Sequence, residues 1–290
     1  MNFIKRALKE DLPFIFACPA LIWQAFFLYL PLTILLTYSF LTYVKVGKYF
    51  AFSFVHYIGV FNTLYFRVIL NSFVLASINS IICLIVAYPV AYFFSMKVKK
   101  FKTFFLFSLI LPSWTSFIVQ VYAWFFLLQK KSFLSLLLFK LGIISESSHL
   151  LNNYFAILVG MVYCFLPFMI LPIYAVLERM DKELLEASAD LGANWLQTFR
   201  RVIFPLSSKG VMAGILLVFI PSFGEFAIPD LLGGGKEVFW GSMIVEKFLM
   251  SRNWQSGAAL TVEGIVFLIT LFTLCFVIYR FFNKYVMNKI

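Results

Sequence analysis

Charge is what this sequence has least of. Asp, Glu, Lys and Arg together make up 13% of its 290 residues, against about a quarter in an ordinary soluble domain. Histidine occurs twice, as His56 and His149, with no metal-ligand spacing around either. The four cysteines, Cys18, Cys83, Cys164 and Cys275, share no CxxC spacing and all fall in apolar runs, so they read as free packing thiols. There is no GxxxxGK[ST] phosphate loop, no His/Cys/Asp cluster and no nucleophile–base pair. Those absences argue against nucleotide hydrolysis, a metal centre or covalent catalysis by this chain itself. Internal repeats and low-complexity stretches are also missing.

What fills the sequence instead is apolar. Hydrophobic residues reach 62%, Phe alone accounts for 38 positions, and the mean hydropathy is +0.94. An integral membrane protein follows. A helix needs about 20 apolar residues to cross roughly 30 Å of hydrocarbon. Runs of that length occur at 13–37, 68–95, 104–128, 154–177, 210–230 and 257–281. The first follows a short basic start, Met1–Lys9, but is too long for a signal peptide and lacks a small-residue cleavage site, so it reads as an uncleaved anchor.

Basic residues predict the orientation, because Lys and Arg concentrate in cytoplasmic loops. With both termini inside, the inner segments carry Lys5, Arg6, Lys9, Lys97, Lys99, Lys100, Lys102, Arg179, Lys182, Arg200, Arg201, Lys209, Arg280, Lys284 and Lys289, the majority of the 24. The outer segments carry Lys45, Lys48, Arg67, Lys130, Lys131, Lys140, Lys236, Lys247 and Arg252. The formal charge of +11 is spread over loops, which suits topology and contact with the lipid bilayer rather than nucleic acid.

One stretch departs from the pattern. "LLEASADLGANWLQTFRRVIFPL", residues 184–206, has two carboxylates, two adjacent arginines and little continuous apolar sequence. Asp181 is a candidate cap for a helix that Gly192 can stop, with Lys182 and Glu183 in its first turn. Asn194 caps a second short helix that is not expected to continue normally through Pro205. The expected structure is a helix–turn–helix on the cytoplasmic face. It can be an amphipathic pair with Trp195 and Phe199 among headgroups and Arg200 and Arg201 on phosphates, or a docking element for a soluble partner.

The spacing Glu186-Ala187-Ser188, three residues, Gly192, nine residues, Val202, one residue, Phe204-Pro205 resembles the EAA-x3-G-x9-I-x-L-P signature of binding-protein-dependent ABC importer permeases. Ser188, Val202 and Phe204 depart from it conservatively. "PSWTSFIVQVYAW" (112–124), "GMVYCFLPFMILPIYAVLERMD" (160–181) and "GEFAIPDLLGG" (224–234) look like the spermidine/putrescine type. Similarity runs from about residue 65 to the C-terminus. Gln120 stands where that family often has a basic residue, which leaves any ion pair at that position in doubt.

The resemblance implies an all-α membrane protein: one permease domain over 1–290, six transmembrane helices and the type I ABC importer permease fold. Its cytoplasmic coupling helix would lie in the hairpin 181–205 and engage an ATPase through Glu186, Ala187, Ser188, Gly192 and Pro205. The implied partners are cytoplasmic ATP-binding subunits, a second, homologous permease subunit and an extracytoplasmic polyamine-binding protein. No cofactor is expected on this chain, since ATP and Mg belong to the partner ATPase. The implied location is the bacterial cytoplasmic (inner) membrane.

The acids can also be read alone. Glu225 and Glu263 fall within predicted spans, where an ionised carboxylate costs about 2.5–3.5 kcal/mol at mid-bilayer and calls for a polar path or a partner. Glu225 reads as substrate-facing or as a hydrogen-bonded group at a helix kink. Glu263 reads as an interhelical or subunit contact. Asp230, five residues beyond Glu225, does not share its face on a regular helix, but Pro229 and Gly233 to Gly235 interrupt that regularity. A carboxylate pair there could replace part of a dication's hydration. Trp114 and Tyr163 could add cation–π contacts, or simply pack.

Polyamine import by alternating access is the leading expectation. A permease for iron(III) or an oxyanion, a proton-coupled carrier using Glu225 and Glu263, and an ATP-independent assembly factor remain open.

Overall fold

The computed structural model describes residues 18–44, 49–58, 63–98, 100–142, 149–181 and 183–287. The chain starts with α1 (Cys18–Ser39), the strands β1 (Leu41–Val44) and β2 (Tyr49–Phe52), and the short α2 (Val55–Ile58). Next come α3 (Leu64–Lys97), α4 (Lys102–Ile110), α5 (Phe117–Leu128), α6 (Phe133–Lys140) and α7 (Tyr154–Glu178). The remainder is α8 (Glu183–Asp190), α9 (Trp195–Phe223), α10 (Ala227–Gly233), α11 (Trp240–Val245) and α12 (Trp254–Met287). Six helical stretches among the described residues are long and apolar enough to cross a membrane. Lys5, Arg6, Lys9, Lys45, Lys48, Lys99, Lys182 and Lys289, and the first residues of the predicted span 13–37, lie outside the described residues.

The chain divides into two compact units. One comprises residues 1–63 and 244–290. In it α1 packs on α12, and the antiparallel β-hairpin pairs Leu41 with Phe52 and Thr42 with Ala51. Phe40 anchors an aromatic group there, stacking on Phe52 at 5.4 Å and meeting Phe54 and Tyr57 at 5.6 and 5.2 Å. Both ring nitrogens of His56 are occupied by hydroxyls, Thr42 and Ser256, each at 3.1 Å. The carboxylate oxygens of Glu263 are buried in α12 with no hydrogen-bond partner among the described residues.

The other unit spans 64–243. Its core is the long contact between α7 and α9, centred on Met169, Ile170, Ile173 and Val218, all fully or almost fully buried. Gly210 and Gly214 make that contact close: a Cβ on Gly210 would come within 2.7 Å of the Pro172 carbonyl, and one on Gly214 within 2.7 Å of the Met169 sulfur. Small residues four apart are how membrane helices approach without a hydrophobic driving force. Polar side chains stitch the other walls together. Asn79 donates to Ser222 at 2.8 Å, and Tyr88 and Ser207 share a hydroxyl bond of 2.8 Å, all four in helix interiors.

Two sequence expectations are corrected here. The predicted third span, 104–128, is not one helix. It breaks at a 3₁₀ turn, Leu111–Trp114, and beyond Leu128 a polar turn, Gln129 to Ser132, leads into the further apolar helix α6. The cause is Pro112, which has no N–H to give, and the break is tolerated because side chains take up the freed carbonyls. Gln120 Nε2 donates to Pro112 at 2.8 Å and to Thr115 at 3.2 Å. Gln120 is thus a clasp on the kink, and among the described residues it has no ion-pair partner.

The predicted fifth span, 210–230, begins and ends too late. α9 starts at Trp195 and stops at Phe223, so Glu225 and Asp230 lie past its end. Pro205 does not end a helix. Phe199–Ile203 form a π turn in which the Phe204 N–H reaches back five residues to Phe199, and Pro205 enters the following α-helical turn at a position where its missing N–H is harmless.

Candidate functional site

The polar stretch folds as a hairpin whose second arm is the start of α9. α8 opens with the Asp181 carboxylate accepting the Glu183 N–H at 3.0 Å. It closes on Gly192, whose φ of 74° is the left-handed conformation a side chain would oppose. The second arm opens with a reciprocal capping box: the Gln197 N–H donates to Asn194 and the Asn194 N–H to Gln197, both at 2.9 Å. Ser188 is buried against the second arm, its hydroxyl 2.8 Å from that of Thr198.

Inward anchoring leaves the outer face free. Glu186 and Ala187 are exposed, and neither hydrogen bond nor ion pair engages the Glu186 carboxylate among the described residues. Leu191, at the tip, is 88% exposed, the most open of the hairpin's exposed apolar residues. A cleft of about 520 Å³ runs between the arms, lined by Leu184, Ala187, Gly192 and Arg201 among others. Trp195 stacks on Phe199 at 5.5 Å, beside the exposed Arg200 and Arg201. Pro205 sits just past the π turn, at the root of the hairpin.

The carboxylates lie at the opposite end of α9. Glu225 caps α10: its Oε1 accepts the N–H groups of Phe226, Ala227 and Ile228 at 3.1, 2.9 and 3.3 Å. Oε2 is left without a hydrogen bond among the described residues. Asp230 is exposed on α10, accepting the Ser242 hydroxyl at 2.9 Å, and its charge acts on Glu225. The segment is firmly seated. Ile228 and Leu232 are buried, the Asn152 N–H donates to the Leu232 carbonyl at 2.8 Å, and the Trp240 N–H donates to Ser72 at 2.7 Å. Two acids therefore share a short ordered segment, one half-buried and one open.

The aromatic candidates are placed differently. Trp114 is 70% exposed at the end of the 3₁₀ turn, edge-on to Phe107 at 5.1 Å. Tyr163 lies on α7, edge-on to Trp124 at 5.5 Å. No hydrogen bond or ring contact among the described residues joins either to Glu225 or Asp230. Sequence reasoning missed Ser242, Ser72 and Asn152, which seat the acidic segment; isolated Ser and Asn in a membrane protein carry no distinguishing pattern.

Comparison with known proteins adds the lineage. The family model described as "Binding-protein-dependent transport system inner membrane component" matches residues 84–288. The spermidine/putrescine transport system permease protein PotB of Haemophilus influenzae is 41% identical over 269 residues, covering 92% of this chain and 93% of that protein. PotB of Escherichia coli K12 is 36% identical over 245 residues, 83% of this chain and 88% of that one. A bacterial ABC transporter involved in the import of the acidic polysaccharide alginate superposes with a TM-score of 0.72 at 16% identity, covering 97% of this chain and 99% of its own, which establishes a shared fold.

Proposed function

The chain belongs to the family of binding-protein-dependent transport system inner membrane components, and on that premise we propose that it lines the path of an ATP-driven importer of polyamines. It is a multi-pass inner-membrane permease subunit of an ABC importer. The finer reading takes putrescine or spermidine as cargo. The relation to PotB across nearly the whole chain supports that substrate class, and the pair Glu225 and Asp230 suits it, since a di- or polyammonium ion needs spaced carboxylates to replace its water.

The single observation that carries the mechanism is the hairpin. It is braced from within by Ser188, Thr198, Asn194 and Gln197, and bare on its outer face at Glu186, Ala187 and Leu191. A rigid knob with an unused carboxylate and an exposed leucine suits a groove on another protein. On this reading that protein is a cytoplasmic ATPase, which holds ATP and its magnesium ion. Both termini of the permease lie in the cytoplasm. Closure of the ATPase pair draws two such knobs together, and α9, continuous with the knob, carries the motion to the segment bearing Glu225 and Asp230. A second, homologous permease chain completes the path, and a loaded polyamine-binding protein delivers the cation from outside. The permease binds and releases; bond chemistry stays on the ATPase.

The test is reconstitution of this chain with its ATPase, second permease and binding protein in phospholipid vesicles. Uptake of labelled putrescine that requires ATP, survives collapse of the proton gradient and is competed by spermidine supports the reading. Uptake that follows the proton gradient instead, or competition by iron(III) or an oxyanion in place of spermidine, overturns it.

A further inference from the structure

Three helix ends meet on one side chain, Lys102. Its ammonium donates to the carbonyl of Ser95 at 3.0 Å, inside the π turn Phe93–Lys97 that ends α3. It pairs with Oε2 of Glu178, the last residue of α7. The ring of Tyr174, one turn earlier on α7, lies 5.7 Å from the same ammonium. Lys102 itself opens α4. The ends of α3 and α7 and the start of α4 are thereby fastened together, on the side of the membrane where α7 hands over to the hairpin.

Loop lysines were expected to report topology, and a lysine that only marks the inner side needs no partner. Lys102 has three, in a chain that is poor in charge. The other ion pair among the described residues, Lys247 with Glu246, joins sequence neighbours at 3.9 Å, whereas this one joins residues 76 apart. The lysine is also three-quarters covered, so it is less screened than an open surface pair. The backbone before it is bent to suit: Phe101 has a φ of 59°, left-handed and unfavourable for a residue with a side chain.

We propose that Lys102 is a positioning residue for the ATP-driven step, the pin that makes α3, α4 and α7 answer as one body when the hairpin is displaced. This rests on the importer reading. α8 begins five residues after Glu178, so a push on the hairpin reaches the end of α7 almost directly. The pin spreads it. Through α4 and the 3₁₀ turn it continues to α5, and α5 and α7 both pack against α10, which carries Asp230. Without the pin, α7 moves and its neighbours lag, so that ATP is spent without delivery of the cation.

The experiment uses the complete transporter in vesicles, with ATP hydrolysis and labelled putrescine uptake read from the same sample and normalised to assembled complex. For Lys102→Ala and Glu178→Gln, hydrolysis is expected to stay within about two-fold of wild type while uptake per ATP falls by about five-fold or more, a typical coupling between sites. Lys102→Arg, which keeps a charged multiple donor, restores most of the ratio. Should Lys102→Ala fail to assemble, Lys102→Gln takes its place with the same expectation. An unchanged ratio in the charge-removing variants overturns the proposal, and so does a parallel loss of hydrolysis and uptake, which a merely structural brace would give. Wild-type complex that fails to import on ATP sinks the importer reading instead, independently of Lys102.

Discussion

The hydroxyls of Ser188 and Thr198 meet at 2.8 Å across the turn at Gly192, joining the two arms of the hairpin from the inside. Ser188 occupies the position where the importer signature carries a second alanine, so a small residue has been kept and an internal bond added. Ser188→Ala is expected to cost about 1 kcal/mol of hairpin stability, the usual net worth of one hydrogen bond. Hydrogen exchange at the amides of residues 187–198 should quicken while ATPase association persists. Thr198→Val should give the same change, and the double variant little more than either single one.

The Glu186 side chain is exposed and makes no hydrogen bond or ion pair among the described residues, so its substitution tests the outer face with little disturbance of the fold. Glu186→Lys should leave helix content and membrane insertion unchanged and abolish co-purification with the ATPase. Normal co-purification would move the docking surface elsewhere.

Glu225 has one duty in the structure, where Oε1 caps α10, and a second in the proposed import path, where Oε2 would meet the cation. Glu225→Gln keeps a carbonyl oxygen for the cap and loses the charge, so assembly should hold while uptake falls at least about ten-fold, the loss of roughly 1.5–3 kcal/mol for a hydrogen bond to a charged group. Glu225→Ala removes the cap as well and should lower thermal stability by a further 0.5–2 kcal/mol or so. Equal uptake by wild type and the Gln variant at all putrescine concentrations would remove Glu225 from the path.

Gln120 was readable only as a family position lacking its usual charge, and its structural duty is to the kink. Gln120→Leu takes one donor from the Pro112 carbonyl, which keeps the N–H and hydroxyl of Thr115, and the side-chain donor from the exposed Thr115 carbonyl, and should destabilise the protein by about 1 kcal/mol, the usual net worth of a hydrogen bond. Thermal unfolding in detergent measures it.

The long spans were legible because burial in lipid is a composition signal, and α3, α7 and α12 fall close to where the apolar runs place them. Breaks inside apolar sequence were not. Proline marks a place where a helix can fail, but whether it does depends on distant groups. Pro112 breaks its helix with Gln120 taking the carbonyls, whereas a π turn carries the chain past Pro205. The hairpin's caps at Asp181, Asn194 and Gly192 were local and readable. Charge scarcity drew attention to Glu225 and Asp230, while the partners that seat them, Ser242, Ser72 and Asn152, come from elsewhere in the chain. The bond between Lys102 and Glu178 was hidden for the same reason: Lys102 looked like an ordinary loop charge until folding joined it to a residue 76 positions away.

Contact between the hairpin and a nucleotide-driven partner tests the central claim most directly. A cysteine at position 187, on the exposed face of α8, should crosslink to an engineered cysteine in the ATPase, with a yield that changes between nucleotide-free and ATP-bound complex. Labelling of Ala187→Cys by an impermeant thiol reagent from outside the cell, or absence of crosslinking in an assembled and active complex, would contradict the account.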